Sequence, residues 1–230
     1  MPGRPLVVVF IALVLGACDI PRDPENTLND VSGDKMRVGV THHEPWVILD
    51  DGEPAGVEVE LVEMFAEEID AEIEWVDGSE SEIAAAIEVR AVDLAIGGFT
   101  ATNPASAEMT LTHPYLTTQT VVGVPASSDV TEDITGVPVA VERGTQAAGL
   151  LEKTDADVVL VDDIETAEGA RALDNYLLDD LELEDTGVRL EESDRVMAVP
   201  HGENAWLVRL ERFLLTHVDE INELLEEHDL

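Results

Sequence analysis

Lysine is nearly absent from this 230-residue chain, which carries only Lys35 and Lys153. All basic residues together number 12 against 51 acidic ones, for a net charge of −39 and a pI of about 4.1. So few cations leave no basic stripe to neutralise phosphates, which excludes nucleic acid as a partner. The same shortage argues against electrostatic adhesion to an anionic membrane surface. Cysteine occurs once, at Cys18, so an internal disulfide is excluded. The apolar run near the start, Leu6 to Ala17, is about a dozen residues long, whereas a membrane-spanning helix needs roughly 20.

What is present is enough apolar material to fold. Hydrophobic residues make up 45% of the chain, sufficient for one substantial core or two small lobes. The acid is spread along the whole length and interleaved with apolar periodicity, so it reads as a solvated surface rather than as disorder. A surface of this kind suits high salt, where screening removes the self-repulsion. Arg4 ahead of the short apolar run makes residues 1–17 a secretory signal. The run ends Leu15-Gly16-Ala17-Cys18, which resembles the lipobox of bacterial lipoproteins. That resemblance implies cleavage before Cys18 and lipid attachment to it, and several acyl chains on one residue anchor a protein firmly. Asp19 resembles an inner-membrane retention signal of Gram-negative lipoproteins. Polar residues with Pro21, Pro24 and Gly33 then predict a tether over 18–35.

From Arg37 to Thr41 the chain alternates into a short strand, and Asp51-Gly52 marks a tight turn. Leu61, Val62, Phe65, Ala66 and Ile69 fall at helical spacing. Glu72–Val76 alternates as a strand, Ser79–Val89 reads as a helix with Ser79 or Ser81 as its cap, and Val92–Ile96 is again a strand. This alternation predicts a parallel sheet, whose ligands sit beyond the carboxyl ends of the strands. Those ends are Thr41–Trp46 and Gly97–Thr102. Further on, Gly136–Val141, Gln146–Glu152 and Asp157–Val161 predict a second strand–helix–strand unit. Gly202-Glu203-Asn204 caps a helix whose apolar face includes Trp206, expected in the core, and a last helix begins near Val218.

Several stretches together resemble the family 3 extracytoplasmic solute-binding proteins, the amino-acid-type binding proteins of ABC importers. They are Val38-Gly39-Val40-Thr41 with Pro45-Trp46, then Gly56 to Leu61, Val92 to Thr102, and Thr112-His113-Pro114-Tyr115. The resemblance implies a two-lobed α/β fold of the type II periplasmic-binding-protein kind, each lobe a mainly parallel sheet flanked by helices. Lobe 1 is expected over 36–120 and 200–230 and lobe 2 over 121–199. Hinge crossings are expected near 119–126 and 194–200, and lobe 2 looks trimmed because Glu165–Leu173 is short for a helix. The implied function is capture of a small polar, amino-acid-like ligand by a monomer at the cell envelope, outside the cytoplasm, for delivery to an ABC permease. No cofactor and no catalytic residue is implied. A sensor or accessory subunit on the same fold is the alternative, and a dehydratase-type enzyme a more remote one.

Residue by residue, Trp46 falls where the family stacks an aromatic on the ligand. Gly98 and Thr100 match positions that offer a carbonyl and a hydroxyl. Gly144, Thr145 and Gln146 resemble the turn that binds a ligand carboxylate, and Thr145 can cap the helix that follows. The stretch Leu173 to Asp179 keeps the spacing of two aspartates in the family, Asp174 and Asp179, and the second, Asp179 (or Asp180 one position on), matches the one that pairs with the ligand ammonium. One departure stands out: the arginine that clamps the carboxylate in amino-acid binders is replaced by Ala105. Losing such a buried charge partner costs about 2–5 kcal/mol, on the order of 30- to several-thousand-fold in affinity. Either Arg143 supplies the charge from the other lobe, or the ligand lacks an α-carboxylate. His42-His43-Glu44 with His113 suits a transition metal in residue type. Adjacent histidines on an extended segment point to opposite sides, however, so no metal is expected and His42 or His43 is taken as a polar ligand contact.

Overall fold

The computed structural model describes residues 22–50, 53–103 and 107–228. The chain forms two five-stranded sheets, one per lobe. Lobe 1 contains β1 (Lys35–Val40), β2 (Glu72–Asp77), β3 (Leu94–Ile96), β4 (Thr110–Leu111) and β10 (Ala198–Val199) in the order β2-β1-β3-β10-β4. The pairs β1–β2 and β1–β3 are parallel, as strand–helix–strand alternation requires, whereas β10 runs antiparallel to both neighbours. Lobe 2 contains β5 (Leu116–Pro125), β6 (Pro138–Glu142), β7 (Asp157–Val161), β8 (Ala170–Asp174) and β9 (Leu183–Arg195) in the order β7-β6-β8-β5-β9.

The helices follow local signals. α2 (Val57–Glu68) buries Val57, Leu61, Val62 and Phe65 on one face, the 3–4 spacing that puts apolar residues on a single stripe. α3 (Glu80–Glu88) starts where the backbone N–H and hydroxyl of Ser79 both donate to the Glu82 carboxylate. α5 (Asn204–Thr216) and α6 (Val218–His228) close lobe 1, with Trp206, Phe213 and Ile221 buried. Trp206 is in the core as expected, and its indole N–H donates to the Asp93 carbonyl at 2.7 Å. α4 (Gln146–Leu151) is a single short helix in lobe 2. Between β7 and β8 there is no helix, which agrees with a trimmed lobe.

Two expectations change. The segment read as a tether is docked against lobe 1 from Asp23 onward. It carries a short helix, α1 (Thr27–Val31), and Glu203, whose side chain is fully buried, accepts from the Thr27 hydroxyl at 2.8 Å and from Arg90 at 2.8 Å. The α5 cap also comes from this segment: Asp23 accepts the Ala205 and Trp206 N–H groups at 2.7 and 3.0 Å. A carboxylate facing free N–H donors and the positive helix end satisfies both, a service that Gly202-Glu203-Asn204 was expected to provide locally. The return crossing differs too. It is the long strand β9, paired antiparallel to β5 along its length, and the stretch Val196–Val199 already belongs to lobe 1. Cys18, Asp51-Gly52 and Ala105 lie outside the described residues.

Candidate functional site

The two crossings, β5 and β9, lie side by side and carry the chain between the sheets. Beside them, a cleft of about 320 Å³ is lined from lobe 1 by His43 and Thr100, and from lobe 2 by Glu142, Thr145, Gln146 and Asp174. The crossings themselves contribute Thr120, Glu191, Ser193 and Arg195. Lobe 1 reaches the cleft through the ends of β1 and β3, as the parallel-sheet rule requires.

The lobe 1 wall is built on a buried carboxylate. Glu58, in the first turn of α2 and fully buried, accepts the Gly97 and Gly98 N–H groups at 2.7 and 2.8 Å and the Tyr115 hydroxyl at 2.6 Å. Burial raises its pKa above the ordinary glutamate value, and the three donors pull it back part of the way. Burial also drives the Tyr115 hydroxyl well above its usual value, with the Glu58 charge adding to the effect. One peptide unit further on, the Gly98 carbonyl accepts from Arg195 Nη1 at 2.9 Å. Gly98 has φ +62°, and a Cβ there would come within 2.5 Å of the Trp46 ring and 2.7 Å of His43 Nδ1, so the position tolerates only glycine.

Some of the anticipated residues line this cleft, and others take different roles. Thr100, Thr145 and Gln146 line it, and so does His43; His42 does not, and its Nδ1 accepts the Leu49 N–H at 3.1 Å. The His43 ring contacts the Gly97 carbonyl at 3.1 Å, and burial, reinforced by the Arg195 charge, lowers its pKa from the ordinary value. Trp46 has no exposed surface, and the Arg195 guanidinium covers its ring at 4.6 Å from the centroid. The face expected to hold a ligand therefore holds an arginine. The Gly98 carbonyl, expected to face a ligand ammonium, is likewise taken by Arg195.

In lobe 2 the Thr145 hydroxyl accepts the Ala148 N–H at 3.3 Å and donates to the Glu142 carbonyl at 2.8 Å, so it caps α4 as the sequence suggests. Gly144 precedes it with φ +84°. Arg143 points elsewhere: it pairs with Asp162 at 3.1 Å and lies outside the cleft. Asp179 and Asp180 line a different cavity, of about 490 Å³, against α6 and the short turn Asn175–Leu178. It is Asp174, the first aspartate of that stretch, that faces the cleft, held by the Thr120 hydroxyl at 3.0 Å and the Tyr176 hydroxyl at 3.1 Å. The reason is register: β8 ends at Asp174, so its side chain emerges at the strand's carboxyl end, while Asp179 lies beyond a full turn. His113 pairs with Glu211 away from the cleft, and among the described residues no group of three or more His, Cys, Asp or Glu could hold a metal ion.

The sequence reading missed Glu58 and Arg195, and of the two spaced aspartates it chose Asp179 where Asp174 lines the cleft. Glu58 carried a signal, a carboxylate at the start of a helix, but that is equally an exposed dipole partner. Arg195 carried none: it ends a strand too polar to be recognised.

Residues 36–227 match the family described as bacterial extracellular solute-binding proteins, family 3. The chain belongs to that family, and its fold is the two-lobed periplasmic-binding-protein-like one. Among solved structures it is similar to an ancestral cationic amino acid solute-binding protein, with 18% identity over 86% of this chain and 98% of that one and a TM-score of 0.69. It is also similar to the unliganded, open L-cystine solute receptor of Neisseria gonorrhoeae, at 18% identity, 85% and 90% coverage and a TM-score of 0.68. A mutant of the arginine-binding protein of T. maritima shares 22% identity over 87% and 98%, with a TM-score of 0.53. At these identities the likeness is one of fold. No curated protein matches the chain. The family is one of extracellular binding proteins, and no helix among the described residues is long and apolar enough to cross a membrane.

Proposed function

We propose that this protein is a lipid-anchored receptor that captures a small, polar, amino-acid-like molecule in the inter-lobe cleft and presents it to an ABC permease. The observation that carries the proposal is the composition of the cleft: both lobes and both crossings contribute polar side chains to one cavity of about 320 Å³, a volume in the range of small-ligand sites. Binding alone is enough for such a role. A ligand that touches both lobes favours the closed arrangement by its differential affinity, and the permease reads that state. The anchor is the lipid expected on Cys18, and the protein works on the outer side of the cytoplasmic membrane. Asp174 supports an amine-bearing ligand, because its carboxylate sits in the cleft already oriented by two hydroxyl donors.

The test is a thermal-shift screen against polar metabolites, repeated with Asp174→Asn. One compound class is expected to raise the melting temperature of the wild type, and the variant should lose about tenfold or more in affinity for it. A clean negative across amino acids, polyamines, sugar acids and osmolytes would sink the proposal.

A further inference from the structure

We propose that Arg195 is the anion receptor of the cleft, so that the ligand is a dipolar molecule with a carboxylate at Arg195 and a cationic group at Glu142, Asp174 and Glu191. This rests on the cleft being the ligand site. Arg195 is the last residue of β9 and is only 6% exposed, yet it lines the cleft. Its backbone is held by the ladder: its carbonyl accepts the Tyr115 N–H at 3.0 Å, and it bridges to Thr100. The side chain donates from Nε to the Thr118 hydroxyl at 3.2 Å and from Nη1 to the Gly98 carbonyl at 2.9 Å. A guanidinium carries five N–H donors, and Nη2 makes no hydrogen bond to any described residue. The group is thus fixed in orientation by two acceptors and by the Trp46 ring, and it keeps donors free while lining the cleft.

The charges around it are lopsided. Arg195 is the sole arginine or lysine lining the cleft among the described residues, against three carboxylates, Glu142, Asp174 and Glu191. His43, the other basic side chain there, is held toward its neutral form by burial. Glu58 lies beyond Gly98 on the buried side, where the glycine's N–H donates to Glu58 and its carbonyl accepts from Arg195. Glu58 therefore positions the guanidinium without occupying its outer donors. A purely cationic ligand would set its charge against a desolvated arginine, and a purely anionic one would face three carboxylates. A ligand with one charge of each sign at its two ends satisfies both poles. The start of α4 does not compete for the anion: the helix has six residues, and Glu142 and Glu191 lie beside it in the same cleft.

The experiment is isothermal titration of the full chain with the free L-amino acids, each matched to its α-carboxamide, which keeps size and loses the negative charge. The expected result is that any acid that binds loses about 30-fold or more on amidation in the wild type. Arg195→Met should bind acid and amide alike, and Arg195→Lys, which keeps the charge but not the fork, should fall between. Where Arg195→Met fails to give a cooperative urea transition, Arg195→Lys decides: its acid preference should fall below that of the wild type, and an unchanged preference overturns the proposal. Equal affinity for acid and amide in the wild type, or an acid preference that survives in Arg195→Met, overturns the proposal and leaves the cleft reading standing. Binding of no compound in either series overturns both.

Discussion

The two walls of the cleft are made in opposite ways. The lobe 1 wall is a set of buried groups, Glu58, Tyr115, the Gly97-Gly98 backbone, Trp46 and, from the crossing, Arg195, each held by contact with another. It stands on a core that includes Trp46, Phe65, Trp206 and Phe213. The lobe 2 wall consists of partly or wholly exposed side chains, Glu142, Gln146, Asp174 and Glu191, above buried clusters that hold only aliphatic residues. Preorganised groups lose little entropy on binding, whereas exposed ones must be ordered by the ligand. On the proposed binding role, lobe 1 is the fixed template and lobe 2 the side that supplies charge.

The sharpest way to break this contrast is Glu58→Ala, which leaves two peptide N–H groups and the Tyr115 hydroxyl without their buried acceptor. A loss of about 3–5 kcal/mol in stability is expected from urea unfolding, and a loss under about 1 kcal/mol would show that the wall is not built on this carboxylate. The lobe 2 counterpart is Glu142→Gln, an exposed side chain with no hydrogen bond of its own among the described residues. Its stability should stay within about 0.5 kcal/mol of the wild type. Its affinity for a cation-bearing ligand should fall severalfold in titration, and the reverse pattern would contradict the division of roles.

The smallest expected effect is a pH slope from His43. Its folded pKa lies below the ordinary value of 6.5. Its contribution is therefore fully present above that value and is lost as pH falls through the folded pKa. Glu58 acts in the opposite sense: its raised pKa gives stability that is present below the ordinary glutamate range and is lost as pH rises through the folded value. Urea midpoints at pH 7.5 and 5.5 should therefore drop less in His43→Gln than in the wild type. An identical drop would mean that the His43 ring is not held neutral by the wall.

How much of this was legible in the sequence varies with the range of the forces involved. α2 was readable because its apolar spacing is local, and α3 because Ser79 and Glu82 are three residues apart. The strand Asp157–Val161 was readable for the same kind of reason. β9 was not, since Leu183–Arg195 is too acidic to show an alternating apolar face, and what holds it is the backbone ladder to β5. The docking of Asp23 onto α5 crosses more than 180 residues of sequence, and no local pattern encodes it.

The chain's own pattern of residues determined the acidic surface, the alternation that builds two α/β lobes, and the Gly-Gly-Phe-Thr strand end that marks the cleft. These follow from composition and short-range periodicity, which are properties of the chain before it folds. Only the tertiary structure decided which charges line the cleft. Asp174 rather than Asp179, and Arg195 rather than Arg143, reach the cleft because strand ends and crossings bring distant residues together. Arg195 meets Gly98 across 97 positions of sequence, and that contact exists only once both sheets are in place.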